Sequence, residues 1–424
     1  MTPFADNDII VIDLGFGDAG KGATVDYLCS PDADLNVSAV VRFNGGAQAA
    51  HNVVVDGRHH TFSQFGSGTF SGVSTILSRY MLVEPFALAG EARQLEELGV
   101  PNPLSLIHID KRALVTTPFH IMMNRAKEDR RGDARHGSCG KGIGETVAFS
   151  LDFPDDALRV GDCAYPNIMR RKLTAMSDWC SPTVGWMMPS IDDIIDVYLE
   201  FAATVRMSDD GDLAEFANRG RLIFEGAQGV LLDEWRGFHP HTTWSTVEPS
   251  NARSMIRELG REPYVLGVTR TYTTRHGAGP MPSERAELDA VLPEPHNGVG
   301  QYQGAFRVGD LDLVMLRYAV DVCDGVHGVA VTHLDAVGRA GVVDEYPGLG
   351  KRIALGRWQD LEYQQQLTDQ LVEVVPVVGE SSTDSDAVVA LIEEATQASA
   401  VLVADGPDRS DRRVLDLRPT STDE

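Results

Sequence analysis

Asp8-Ile-Ile-Val-Ile-Asp-Leu-Gly-Phe-Gly-Asp-Ala-Gly-Lys-Gly-Ala-Thr-Val-Asp-Tyr-Leu28 is the stretch around which the chain is read. Ile9 to Leu14 is an apolar, β-branched run bounded by glycine, the pattern of a buried parallel strand. Gly15, Gly17, Gly20 and Gly22 then crowd together, and Val25 and Leu28 keep helical spacing behind them. Strand, glycine loop and helix bring backbone N–H groups and a helix N-terminus onto phosphate oxygens. Gly15 to Lys21 satisfies G-x4-G-K, yet Gly22 stands where a P-loop carries the Ser or Thr that meets magnesium. Asp18 lies inside the loop, where a bound Mg²⁺ or a substrate proton would justify its charge. A glycine-rich turn with a solvated aspartate is the competing reading; phosphate binding is the one adopted.

Working outward, Val37 to Phe43 reads as a second strand leading into Asn44-Gly-Gly-Ala-Gln-Ala-Ala-His51. This small-residue loop lets backbone approach a ligand and closes on a histidine. Asn52 to Val55 resumes an extended run, and Asp56-Gly57 signals a hairpin. Ser67 to Gly72 is expected as a loop, and Glu84 to Leu98, Pro118 to Arg131, Ser190 to Met207, Asp312 to Cys323 and Asp386 to Thr396 as helices. Ser105 to Asp110, Arg221 to Phe224, Tyr264 to Tyr272, Val329 to Asp335, Val372 to Val378 and Ala400 to Ala404 are expected strands. Arg135-His-Gly-Ser-Cys-Gly-Lys-Gly-Ile-Gly-Glu-Thr146 is a second donor-rich glycine loop, an anion-site candidate through Ser138, Lys141 and Thr146. Arg275, beside Thr273 and Thr274, is a candidate clamp for a carboxylate or phosphate. His239-Pro-His241 lacks a third ligand in view, so zinc is not expected. About eight strands alternating with helices, most ending in a polar or glycine-rich loop, give an α/β fold. Its core is a large, mainly parallel central sheet flanked by helices, with one active edge, formed as a single domain over residues 1–424. The tail from Asp416 is expected to fray.

The formal charge of -25 argues against a nucleic-acid or anionic-membrane partner, so any anionic substrate must be met by a few local Arg, Lys and N–H groups. Cys29, Cys139, Cys163, Cys180 and Cys323 are odd in number and never form C-x-x-C, which fits a reducing cytoplasm. The first residues carry no signal-peptide pattern, and no apolar run is long enough to span a membrane. Cytoplasmic localisation is expected.

Six motifs in order resemble the adenylosuccinate synthetase family across nearly the whole chain. They are Gly17-Asp-Ala-Gly-Lys-Gly22, Gly45-Gly-Ala-Gln-Ala-Ala-His51, Glu225-Gly-Ala-Gln-Gly229, Thr273-Thr-Arg-His-Gly-Ala-Gly-Pro280, Thr332-His-Leu-Asp335 and Gly406-Pro-Asp-Arg409. The resemblance implies a P-loop-like, GTP- and Mg²⁺-dependent ligase of purine biosynthesis, working as a homodimer on small molecules: GTP, a purine nucleotide and an amino acid. GTP would phosphorylate the 6-oxygen of IMP, and the amine of aspartate would displace that phosphate. On this resemblance Asp18 is the base that takes the N1 proton and also touches the metal, and His51 is the acid. Gln228 joins them at the acceptor. Gly17, Gly20, Lys21 and Gly22 would hold phosphates, and the Ala50 carbonyl would complete the metal shell. Thr332 and Asp335 would read guanine, flanked by Ala404 and Gly406. Gln48, Ser138, Cys139, Thr243, Thr273, Arg275 and Arg307 fall to the acceptor and amino acid.

The departures from the family pattern matter as much. Ala19 and Ala23 stand where Glu and Lys are usual, Gln48 where an Asn meets IMP, and Cys139 where a Thr meets phosphate. His333 replaces a lysine that packs on guanine. No counterpart to a cross-subunit arginine occurs around Phe149 to Pro154, and the amino-acid loop reads Gln301-Tyr-Gln-Gly-Ala-Phe-Arg307 rather than arginine-rich. Two enzyme readings follow: a divergent adenylosuccinate synthetase, with Lys141, Arg270 or Arg275 supplying missing contacts, or a paralogue running the same chemistry on another acceptor or amine. A nucleotide-binding protein without catalysis is the third, opposed by intact Asp18, Lys21 and His51.

Overall fold

The computed structural model describes residues 4, 7–132, 137–185, 188–294 and 302–415. Arg135, His136, Gln301 and the tail from Asp416 lie outside them. Ten strands make one sheet: β1 (Asp8–Asp13), β2 (Val37–Arg42), β3 (Ser74–Leu77), β4 (Ile107–Asp110), β5 (Arg206–Ser208), β6 (Arg221–Gly229), β7 (Pro263–Arg270), β8 (Gly328–Thr332), β9 (Ala400–Ala404) and β10 (Arg412–Val414). Their order is β10-β9-β8-β7-β1-β6-β2-β3-β4-β5. The edge pair β9 and β10 is antiparallel; the other pairings are parallel. Eleven α-helices are present among the described residues. None is long and apolar enough to cross a membrane.

The opening stretch sits at the centre of this sheet, and both of its faces are covered. Ile10 and Ile12 pack with Val314 and Tyr318 of the helix Leu313–Val322. Ile9 and Val11 point the other way, onto Val25 and Leu28 of α1 (Lys21–Leu28). A strand covered on both sides needs a continuous apolar run rather than alternation, which is what Ile9 to Ile12 supplies. Because neighbouring strands are parallel, the loops after β1, β6, β7, β8 and β9 open along one edge, where ligands of open α/β sheets bind.

Several expectations need correction. Val372 to Val378 is not a strand: the helix Leu361–Glu373 runs into it, burying Leu367 and Leu371 one turn apart. Beyond it Val375 and Val377 are 81% and 76% exposed, and Pro376 lacks the N–H a ladder needs. The helix Ile191–Thr204 stops short of Met207, which belongs to the edge strand β5. Arg221 to Phe224 extends as β6 to Gly229, and Ser67–Ser71 is a 3-10 turn rather than an open loop.

The helix Pro118–Arg131 is opened by a reciprocal cap in which His120 Nδ1 accepts the Thr117 N–H at 3.0 Å. Burial pushes His120 from its ordinary 6.5 down to about 3. Its folded pKa lies below the unfolded one, so the unfolded chain binds the extra proton. The stabilising contribution is therefore complete above pH 6.5 and is lost as pH falls toward 3. His120→Gln, whose amide oxygen also accepts but does not titrate, is expected to flatten the decline of melting temperature between pH 7 and pH 4. An unchanged slope would remove His120 from the acid limb.

Candidate functional site

The phosphate-binding geometry starts with Gly20, which caps α1 in the left-handed region (φ 91°), with no side-chain cap and no acidic residue in the first turn. The helix N-terminus thus offers its amides to an anion. Gly22 is excluded from being the Ser or Thr of a P-loop by packing: a Cβ there would lie 2.5 Å from His51 Cβ. At the end of β6, a Cβ on Gly229 would lie 2.1 Å from Gly15 O, so only glycine lets that strand press against the loop.

Beneath the loop lies a residue that sequence reasoning passed over. Asp13 ends β1 fully buried; its Oδ1 accepts the Gly15 N–H, and its Oδ2 accepts the Ala19 N–H, each at 2.9 Å. Lys21 Nζ donates to the same Oδ2 at 3.0 Å. An ionisable side chain inside an apolar run was the available signal, because burying such a group is costly unless it is paired.

A cavity of about 450 Å³ opens above the loop, lined by Gly17, Asp18, Gly20, Lys21, Gly22, Gln48, Ala50, His51, Gln228, Thr332, Asp335 and Gly406. All of these were singled out from the sequence. Arg270, His276, Glu294 and His333 also line it. Asp18, Gln228 and His333 take positive φ of 62°, 67° and 58°, which costs energy for residues other than glycine. Burial raises the Asp18 carboxyl above its ordinary value, while Arg270, His276 and Lys21 pull it down. A raised carboxylate is the better proton acceptor. Burial holds His333 well below its ordinary pKa, and its Nδ1 lies 2.9 Å from the Thr332 hydroxyl, so it presents a neutral ring where a lysine was the family expectation.

On the other wall His51 Nδ1 lies 2.6 Å from Glu225 Oε1, and the Ser67 hydroxyl donates to the same oxygen. The Ser67 N–H donates to Glu225 Oε2 at 3.0 Å. Burial takes His51 down to about 4 although Glu225 works against it. Glu225 is itself held low, at about 2: burial opposes this, and His51, Arg42 and Ser67 outweigh it. The imidazole is therefore neutral, with its Nδ1 proton on the carboxylate and a buried, unpartnered Nε2. Glu225, an acid in the middle of β6, orients the histidine.

The remaining expected residues stand apart from the cavity. Arg275 lies away from the cavity: the residue is 1% exposed, and its guanidinium donates to the carbonyls of Ala278, Pro280 and His241 while lying over the Phe16 ring. Burial lowers it to about 9. Arg307 is placed likewise, donating to the Gly277 and Gly279 carbonyls at 2.9 Å each and pairing with Glu284. Both brace the hairpin of Thr273–His276 with Phe306–Gly309. Neither lines the cavity, and neither do Ser138, Cys139, Thr243, Thr273 or Ala404. Ser138 Oγ accepts from Asn124, and the Thr243 N–H is spent on Leu232 O.

A family model described as adenylosuccinate synthetase matches residues 10–412. The chain is 30% identical over 436 residues to the adenylosuccinate synthetase of Neisseria gonorrhoeae, covering 96% of this chain and 98% of that one. It is 33% identical over 345 residues to that of Pseudomonas putida, covering 78% and 77%. Among solved structures, a fully ligated adenylosuccinate synthetase from Plasmodium falciparum shares the fold at a TM-score of 0.81 and 19% identity, covering 97% of this chain and all (100%) of that one. Succinoaminodeoxyadenylate synthetase of cyanophage S-2L, bound to dGMP and dATP, follows at a TM-score of 0.61 and 17% identity, covering 96% and 95%. With the glycine loop, Asp18 and His51 all inside the matched span, the chain belongs to the adenylosuccinate synthetase family, whose members are GTP-dependent ligases that form a C–N bond.

Proposed function

We propose that the protein phosphorylates the 6-oxygen of IMP with GTP and that the amine of aspartate then displaces the phosphate, giving adenylosuccinate, GDP and orthophosphate. The observation that carries this reading is the Asp18 carboxylate, buried and raised by desolvation, in the same cavity as the α1 N-terminus and His51. Asp18 takes the N1 proton as O6 attacks the γ-phosphorus. His51 Nε2 gathers a proton as charge accumulates on the phosphoryl oxygens, with Glu225 steadying the imidazolium. Gln228 hydrogen-bonds the acceptor, and Asp335 accepts from guanine N1–H and its amino group. The Asp18 carboxylate and the Ala50 carbonyl on the cavity wall are hard oxygen donors suited to Mg²⁺, which would neutralise the triphosphate. Few protein ligands suffice there, because Mg²⁺ keeps waters and phosphate oxygens. The enzyme acts in the cytoplasm as a homodimer, a state light scattering would test.

The positions of Arg275 and Arg307 favour a second reading. With both guanidiniums on backbone carbonyls, the hairpin presents Gln303 to the cavity instead of a cation, which suits an amine other than a dicarboxylate. The dGMP-bound cyanophage neighbour supports a family fold that accommodates more than one purine nucleotide. Orthophosphate release from GTP with IMP and aspartate is the deciding assay, followed by other oxo-purines and amines. Turnover with IMP and aspartate supports the first reading, and turnover only with another pair supports the second. GTP binding with no turnover on any acceptor would overturn both, and equal use of ATP would overturn the role of Asp335.

A further inference from the structure

Lys21 and Arg270 both line the cavity above the glycine loop, and each already carries a carboxylate. Lys21 is paired with Asp13, whose oxygens also hold the Gly15 and Ala19 amides and which is wholly buried. That carboxylate cannot leave without opening the loop, so the ammonium reaches a phosphate already neutralised. Arg270, the last residue of β7, is different. Its Nε donates to the carbonyl oxygen of Asp18 at 2.7 Å, and its Nη1 donates to the Tyr272 hydroxyl at 2.8 Å and to the Glu294 carboxylate. The Nε bond fixes the guanidinium beside the residue whose carboxylate is the proposed base. Glu294 belongs to no helix or strand, keeps 13% of its side chain exposed, and is also reached by the Tyr272 hydroxyl at 2.6 Å.

We propose that Arg270 is the cation that meets the transferring phosphoryl group, and that Glu294 holds its place until the triphosphate arrives. The inference rests on the phosphoryl-transfer reading given above. A carboxylate and two phosphoryl oxygens present a guanidinium with the same acceptor geometry, so one exchanges for the other. As O6 of the acceptor bonds to the γ-phosphorus, the bond from phosphorus to the β,γ-bridging oxygen breaks and its electron pair leaves with GDP. The N1 proton passes to Asp18. Arg270 donates hydrogen bonds throughout and keeps its proton, so its part is to offset charge spread over the phosphoryl oxygens. Asp18 and Arg270, joined through one backbone carbonyl, thereby move as a unit.

The test uses the full chain with Mg²⁺ and compares GTP with GDP by calorimetry, without acceptor, before turnover is measured. Glu294→Gln is expected to tighten GTP several-fold and leave GDP unmoved, because the competing charge has gone. Arg270→Met is expected to weaken GTP but not GDP, and to lower kcat by about a hundredfold or more, toward the range seen for arginines that act on phosphoryl groups. Glu294→Gln that weakens GTP or leaves it unchanged would overturn the placeholder. Equal effects of Arg270→Met on GTP and GDP would overturn the phosphoryl contact. Should Arg270→Met fail to fold, Glu294→Gln still decides, since it exchanges one oxygen for an amide at a partly exposed site. Absence of turnover with every acceptor would strike the ligase reading alone; the GTP-against-GDP comparison tests Arg270 independently of it.

Discussion

Asp18→Asn is expected to lower the rate of orthophosphate release by about a thousandfold, inside the range general acid–base catalysis supplies, with GTP affinity changed only a few-fold. Asparagine tolerates the left-handed backbone (φ 62°) that residue 18 adopts, as few other side chains do, so the loop keeps its shape. Its amide oxygen still faces the cavity, but it takes no proton from an acceptor ring. The carboxylate it replaces is raised by burial and restrained by Arg270, His276 and Lys21, which makes it the better proton acceptor. Phosphate release and GTP calorimetry on one preparation separate lost chemistry from lost binding. A variant keeping more than a tenth of wild-type turnover would end the assignment of Asp18 as the base.

How far such roles are legible in the sequence depends on what each residue's identity constrains. β1, α1 and the loop between them read directly, because a run such as Ile9 to Ile12 buries on both faces and the glycines permit a backbone few other residues tolerate. Asp18 reads as functional for the same reason: a lone acid among phosphate-binding amides needs a purpose. Asp13 and Glu225 do not read as partners of anything, because Lys21 is eight residues from Asp13 and His51 lies 174 residues from Glu225. For Arg275 and Arg307 the sequence does not tell where the guanidinium is held. Composition shows that a guanidinium is near a glycine loop, whereas the curl of that loop around its own carbonyls decides where the charge is spent; a Cβ on Gly279 would lie 2.1 Å from Arg275 Nη2. The strands β5 and β10, three residues each, are too short for a period to register, and only the sheet edge beside them makes them strands.

Glu225→Gln carries the second large effect. Its carboxylate is acceptor-only: one oxygen takes His51 Nδ1 and the Ser67 hydroxyl, the other the Ser67 N–H. A glutamine must keep its carbonyl toward the Ser67 N–H, since a buried amide donor left unpaired is costly. Its NH₂ group then faces His51 and donates to Nδ1, so the imidazole proton moves to Nε2. The ring keeps its position but can no longer receive a proton on Nε2. An analogous change in the serine-protease triad leaves geometry intact and lowers kcat about ten-thousandfold, and a loss of about 10²–10⁴ is expected here. Stability falls as well. Arg42, fully buried and donating to Ser63 O and Phe65 O, draws Glu225 down and depends on that charge in return, so the substitution is expected to cost about 3 kcal/mol. Turnover is therefore measured per folded molecule, well below the lowered melting temperature. If Glu225→Gln loses stability yet keeps wild-type kcat per folded enzyme, the carboxylate serves Arg42 alone, and His51 needs no orienting partner to handle the phosphoryl group.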